Sequence, residues 1–333
     1  MRGSTWIARL LLAVLLAAAL AGCGRGAAAD RSVTIGLTYV PNIQFAPFYV
    51  ADSLGYYKDA GLKVTLHHHA ASEDEFGALV AGKEDILFGG GDEALQARSK
   101  GAPLVYVAQI FTRYPVALIV PADSPIKSPA DLKGHSVGIP GKYGATYIGL
   151  LALLQSAGLS EQDIDEQSIG FNQVASLMGH KVDAVMGYLN NEAIQFQKAG
   201  FATRTIPVSS TQGLVSNGLI VTEKGLKDDK TVKAVIAATL KGLDYVNAHP
   251  EDTVNISKKY VPGLSDQGQQ ADALAVLKAT IPLWQQEGQP GRTDPQAWQE
   301  MAAFLQQAGL LSGQVDVSQA FTNAYIPSAT PKG

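Results

Sequence analysis

From Val33 onward, short apolar runs alternate with stretches whose apolar positions recur every three or four residues, and Gly, Pro, Asn or Asp marks most of the joints. Val33–Thr38 reads as a strand and Pro47–Leu54 as a helix. Leu62–His67 alternates with a period of two, and Glu73–Ala81 returns to a helical period. Ile86–Phe88 is a short buried strand running into Gly89-Gly90-Gly91. Asp92 is expected to cap a helix to about Ser99, and Leu104–Ile110 is the next strand. The alternation then repeats. Ser136–Ile139, Ile164–Ile169 and Ala184–Gly187 read as strands. Gly144–Ala157, Gln173–Gly179 and Asn191–Ala199 read as helices. From about Lys227 the chain is helical with Pro and Gly breaks. Strands alternating with helices imply βαβ units on mostly parallel sheets, with helices on both faces.

Two such units are present, and the second has its own borders. Pro121, Pro125 and Pro129 precede it and Ser209–Asn217 follows it. Val116–Val120 and Leu219–Val221 look like paired apolar strands entering and leaving it. The expected fold class is α/β, of the two-lobed, hinged type with an interlobe cleft. Residues 33–118 and 219–333 form lobe 1, and residues 119–218 form lobe 2. In open α/β sheets ligands sit beyond the carboxyl ends of strands, so the cleft between lobes is the expected site. A single large α/β enzyme is the competing layout.

The N-terminus sets the compartment. Arg2 and Arg9 form a basic region, Leu10–Ala21 is unbroken apolar chain, and Leu20-Ala21-Gly22-Cys23 closes it with small residues before a cysteine. That run has signal-peptide length and is too short to span a bilayer. Residues 1–22 are therefore read as a signal peptide and Cys23 as a lipidated N-terminus. Residues 23–32 are read as a flexible tether, placing the protein on the extracytoplasmic face of the cell membrane. Cys23 is the only cysteine, so the mature chain is expected to have no disulfide, thiolate metal site or thiol nucleophile. A hydrophobic content of 46% is enough to core two domains. The net charge of −4 includes both leader arginines and becomes −6 without them. With no basic tail or patch, nucleic acid is not an expected partner.

Thr38-Tyr39-Val40-Pro41-Asn42-Ile43-Gln44-Phe45-Ala46-Pro47-Phe48-Tyr49-Val50-Ala51 and Gly55-Tyr56-Tyr57-Lys58-Asp59-Ala60-Gly61-Leu62 carry a resemblance. Gly138-Ile139-Pro140-Gly141-Lys142-Tyr143-Gly144-Ala145 and Gly187-Tyr188-Leu189-Asn190-Asn191-Glu192 agree with it. From about Val33 to Val221 the chain resembles the ABC-transporter solute-binding proteins related to thiamine-pyrimidine-precursor binders (SsuA/THI5-like). That family includes riboflavin binders and, more remotely, sulfonate and nitrate binders. The resemblance implies a type II periplasmic-binding-protein fold, a heteroaromatic vitamin or precursor as ligand, and an ABC permease as partner. A monomer is expected, with no cofactor and no enzymatic activity. The same fold hosts a pyrimidine-forming enzyme of thiamine synthesis, but those relatives carry a cysteine-rich motif that this chain lacks.

Candidate ligand-binding residues lie at expected strand ends. Tyr39 and Asn42 follow the first strand, where an aromatic face stacks on a flat ring and an amide both donates and accepts. Phe45 belongs to the same wall or to the core. Gly90 allows close backbone approach, and Glu93 is the favoured contact beside Asp92. Arg113 and Tyr114 sit at the hinge, where the arginine either meets an anion or is solvated. The Gly138–Gly144 loop opens a helix, and Lys142 and Tyr143 are its candidates. Ser136 and Tyr143 break the Walker spacing, and the dinucleotide fingerprint does not fit. Tyr188, Asn190 and Glu192 suit an amino- or amide-bearing ring, with helix capping as their alternative role. No G-x-S-x-G or HExxH occurs. In His67-His68-His69 a strand puts only His67 and His69 on one face, so no specific metal site is expected.

Overall fold

The computed structural model describes residues 30–70, 73–208, 213–285 and 288–328. The expected signal peptide, Cys23 and the expected tether up to residue 29 lie outside the described residues. Ten strands are described: β1 Arg31–Leu37, β2 Leu62–His68, β3 Ile86–Gly90, β4 Leu104–Gln109, β5 Val116–Pro121, β6 Ser136–Ile139, β7 Asp165–Ser168, β8 Ala184–Tyr188, β9 Thr203–Pro207 and β10 Asn217–Thr222. Around the first sheet lie helices α1 Ala46–Ser53, α2 Tyr56–Asp59, α3 Glu75–Val80 and α4 Gly91–Ser99; α5 Gly144–Ser156, α6 Gln173–Met178 and α7 Glu192–Lys198 surround the second. The C-terminal part supplies α8 Asp229–Ala248, α9 Pro250–Ser257, α10 Gln267–Trp284 and α11 Pro295–Gln307. Asp228, Asp266 and Asp294 open α8, α10 and α11 by accepting from backbone N–H groups in the first turn, which relieves the orphan donors there.

The strands form two five-stranded sheets with one plan. The first runs β2-β1-β3-β10-β4 and the second β7-β6-β8-β5-β9. In each, three strands are parallel and the fourth position is filled by an antiparallel strand that enters from a crossover: β10 in the first sheet, β5 in the second. This is where the sequence reading needs correction. Val116–Val120 and Leu219–Val221 do not pair with each other, because each completes a different sheet. The crossover therefore falls between Gln109 and Val116 rather than after residue 118. The edge strand β9 was not anticipated; its half-exposed, mixed sequence Thr203–Pro207 lacks an apolar period.

The two crossovers are tied to each other. The N–H groups of Ile110 and Phe111 both donate to the Asn217 carbonyl, at 3.1 and 2.9 Å. Leu189 N–H donates to the Pro115 carbonyl at 2.8 Å. The core is continuous beneath this hinge. Leu87, Leu95 and Tyr106 of the first sheet region share one buried cluster with Val116, Ile148 and Met186 of the second and with Trp298 of α11.

Gly218 sits at the closest approach. A Cβ there would lie 2.1 Å from the Tyr106 hydroxyl and 2.2 Å from the Ala108 carbonyl, inside the β10–β4 pairing. The carbonyl cannot retreat without opening that pairing. Gly218→Ala is expected to cost about 1–3 kcal/mol of stability, measured by urea unfolding with an unchanged m-value. Wild-type stability in that variant would show that the hinge strands tolerate separation.

Candidate functional site

The carboxyl ends of the parallel strands of both sheets face one cavity of about 430 Å³. Thr38 and Tyr39 follow β1, and Glu93 lies in the first turn of α4 after β3. Tyr143 to Thr146 follow β6, Phe171 and Gln173 follow β7, and Tyr188 to Glu192 close β8. A strand end can place only its next few residues, so the shared plan of the two sheets puts these five loops around one space.

The walls are aromatic. Tyr39 from one lobe meets Phe171 from the other edge-on, with ring centroids 6.5 Å apart. Both are exposed, as is Tyr143. Beneath them Phe45, Phe88 and Phe111 are buried and interlocked, with centroids 5.9 and 6.2 Å apart. The acidic lining is Glu73, Asp74, Glu75, Glu93 and Glu192, set beside amides such as Gln44, Gln173 and Asn191 and the imidazole of His69. No lysine or arginine lines it among the described residues.

Burial dominates these carboxyls. Asp92 is not the helix cap that the sequence suggested. Gly90 takes that position, and Asp92, buried in the first turn of α4, accepts from the Tyr114 hydroxyl at 2.6 Å and from Glu93 N–H at 2.8 Å. Burial still pushes its carboxyl up to about 6, although the tyrosine bond pulls the other way. Glu93 is raised well above the usual carboxylate range, first by burial and then by Asp92 and Glu75. Glu75 is pushed up to about 7 by burial, with Glu84 and Asp74 adding to it. Glu192 is raised by burial, although it accepts from Tyr188 N–H at 2.7 Å. A carboxyl that keeps its proton near neutral pH both donates and accepts, as the edge of a lactam or an aminopyrimidine requires.

The N-terminus of α5 has no side-chain cap and faces the cavity through Gly144. Glu93 is its neighbour: a Cβ at Gly144 would lie 3.7 Å from Glu93 Oε1. The positive end of the helix dipole therefore already has a carboxylic partner from the other lobe.

Of the residues singled out in the sequence, Tyr39, Phe45, Glu93, Tyr143, Tyr188 and Glu192 share this cavity. Tyr114 stands behind it, holding Asp92. The others are placed elsewhere. The Asn42 side chain accepts from Gln44 N–H and caps a 3₁₀ turn. Gly90 is buried strand end, and Arg113 is exposed off the cavity wall. Lys142 pairs with Glu161 at 2.8 Å in a neighbouring depression that shares Tyr143. Asn190 is buried and donates to Thr280 of α10 at 3.0 Å, joining the lobes instead of lining the cleft. Phe171 and Gln173 were missed, although the strand-end rule that found Tyr39 points to them equally.

Fold and site together define a two-lobed binding protein of the periplasmic type. The crystal structure of the periplasmic aliphatic sulphonate binding protein SsuA from Escherichia coli superposes with a TM-score of 0.70 at 19% identity, covering 87% of this chain and 91% of that one. The chain belongs to the NMT1/THI5-like family, whose model matches residues 42–253. It is 34% identical to the riboflavin-binding protein RibY of Chloroflexus aurantiacus, over 90% of this chain and 87% of that one. It is 26% identical to a formylaminopyrimidine-binding protein of Halalkalibacterium halodurans, over 95% and 98%. Relatives at 23–24% identity are named 4-amino-5-hydroxymethyl-2-methylpyrimidine phosphate synthases.

The raised carboxyls fix the sign of a pH dependence. Between about 4.5 and 7 the folded chain holds protons that the unfolded chain has released, so stability falls as pH rises through that window. The melting temperature of the ligand-free protein is expected to drop between about pH 5 and pH 8. Glu93→Gln should raise it at pH 8, by roughly 2–4 °C per kcal/mol recovered, and change it little at pH 5. A melting temperature that climbs with pH over this range would contradict the buried-carboxyl reading.

Proposed function

We propose that this chain is the extracytoplasmic solute-binding component of an ABC importer, and that it captures a flat, uncharged heteroaromatic vitamin or vitamin precursor, with riboflavin the best fit. The observation that carries this is the cavity wall: aromatic rings from both lobes, several carboxyls and, among the described residues, no lysine or arginine. Tyr39 and Phe171 take the faces and edges of a planar ring. Ionised carboxylates accept from ring N–H or polyol hydroxyl groups, and a protonated Glu93 returns a hydrogen bond to a ring carbonyl. An anionic ligand would be desolvated beside carboxylates with nothing to neutralise it, which disfavours a sulfonate or nitrate. A fused three-ring flavin with its polyol tail suits a cavity of about 430 Å³ better than a single ring does.

An aminopyrimidine is the second reading, favoured by the same carboxyls as acceptors for an exocyclic amine. Under either reading the ligand leaves unchanged. The cysteine-rich motif associated with the synthases is absent, since Cys23 is the only cysteine. That cysteine is proposed as the lipid anchor, with a monomer presenting the closed lobes to the permease. Among the described residues no helix is long and apolar enough to cross a membrane.

Flavin fluorescence and calorimetry test the proposal, with riboflavin, 4-amino-5-hydroxymethyl-2-methylpyrimidine and taurine as titrants. Riboflavin is expected to bind one to one, with its emission quenched by stacking, and to be recovered intact by mass spectrometry. Tyr39→Ala and Phe171→Ala should each lose about 1–3 kcal/mol, roughly 5- to 150-fold in affinity. Binding of taurine alone, or wild-type affinity in both variants, would overturn the assignment, and a converted ligand would move the protein to the synthases.

A further inference from the structure

We propose that His67, His69 and Glu84 bind one divalent transition-metal ion, with zinc the best match to the donor set. Among the described residues they are the one group of three whose ligating atoms all lie within 4.8 Å of one another. His67 and His69 project from one face of the β2 end, and His68 turns to the other, toward Tyr49 and the Tyr39 carbonyl. Glu84 comes from outside the histidine run, two residues before β3. Its carboxyl lies across Gly36, which pairs in register with His67. A Cβ at Gly36 would stand 2.1 Å from Glu84 Oε2, so the lack of a side chain there makes room for the carboxyl.

The three donor groups already converge on one another. Glu84 Oε1 lies 2.7 Å from His67 Nδ1 and 2.7 Å from His69 Nε2, so both ring nitrogens must carry protons to hold it. Zinc at 2.0–2.1 Å from each nitrogen shifts each proton to the other nitrogen of its ring, where Glu73 can accept from His69 Nδ1, and spaces the donor atoms about 3.3 Å apart. The two oxygen–nitrogen distances therefore need to open by about half an ångström, and all three donor atoms already lie within 4.8 Å of one another. Two further atoms mark the site as incomplete. Glu84 Oε2 and His69 Nδ1 are buried and have no hydrogen-bond partner. A buried carboxylate oxygen with nothing to accept from is costly, and a cation within reach removes that cost.

His69 Nδ1 lies 3.9 Å from Glu73 Oε2, where a small closure gives the outer carboxylate that orients most metal-bound imidazoles. His67 is 47% exposed at its side chain and gives the ion a way in. Two imidazoles and one carboxylate suit zinc, cobalt or nickel, whereas calcium and magnesium prefer all-oxygen shells. Three protein ligands leave a fourth position for water. The ion would pin the β2 end to the β3 approach, beside the cleft wall that His69 and Glu73 also form.

The test uses the full, untagged chain stripped with a chelator and titrated at neutral pH with Zn²⁺ by calorimetry and with Co²⁺ by visible absorption. One ion per chain is expected, with d–d absorption from Co²⁺ and a higher melting temperature in Zn²⁺. His67→Ala changes the exposed ligand. It should bind about 100-fold more weakly or not at all while melting like the metal-free wild type and binding riboflavin unchanged. Glu84→Gln should abolish the cobalt spectrum. Absence of a stoichiometric ion in the wild type, or wild-type affinity in His67→Ala, would overturn the proposal; the second result would place the ion on another histidine such as His135 or His180.

Discussion

Buried carboxyls without a basic partner are the constraint on which the rest of the site depends. Asp92 is held by the Tyr114 hydroxyl, Glu93 faces the N-terminus of α5, and Glu75 and Glu192 stand around them. Burial raises the pKa of each, so each holds its proton to a higher pH than a solvated carboxyl does. The cluster spends stability to present donors and acceptors in an aromatic cavity. That arrangement rewards a ligand able to supply both and rejects one that brings negative charge of its own. It also couples the lobes, because Glu93 belongs to α4 of one sheet and its neighbour Gly144 to the helix of the other.

The fold makes such a cluster possible by repetition. Both sheets have the same strand order, and each is completed by an antiparallel strand from a crossover. The two sets of strand ends therefore face each other across the Asn217 hydrogen bonds, over a core continuous through Leu95, Val116 and Trp298. The loops give one lobe Tyr39, Glu75 and Glu93 and the other Tyr143, Phe171, Tyr188 and Glu192.

The alternation of apolar runs made the two α/β units and most strands legible, and counting from strand ends reached six residues of the cavity. What that counting cannot see is direction. Lys142, Asn190 and Asn42 lie where expected along the chain, but an ion pair with Glu161, a bond to Thr280 and a local cap turn them away. Partners brought by folding were equally invisible. Val116–Val120 and Leu219–Val221 look alike and yet join different sheets. Glu84 is an ordinary acid before a strand until Gly36 opens a place for it beside two histidines.

The cleft is proposed to select a planar ring and to exclude negative charge, since no lysine or arginine lines it among the described residues. Riboflavin and riboflavin 5′-phosphate share every ring atom and differ at the end of the tail, so paired titrations of the two isolate that claim. The phosphate is expected to bind at least about 100-fold more weakly, close to 3 kcal/mol. Equal or tighter binding of the phosphate would contradict it.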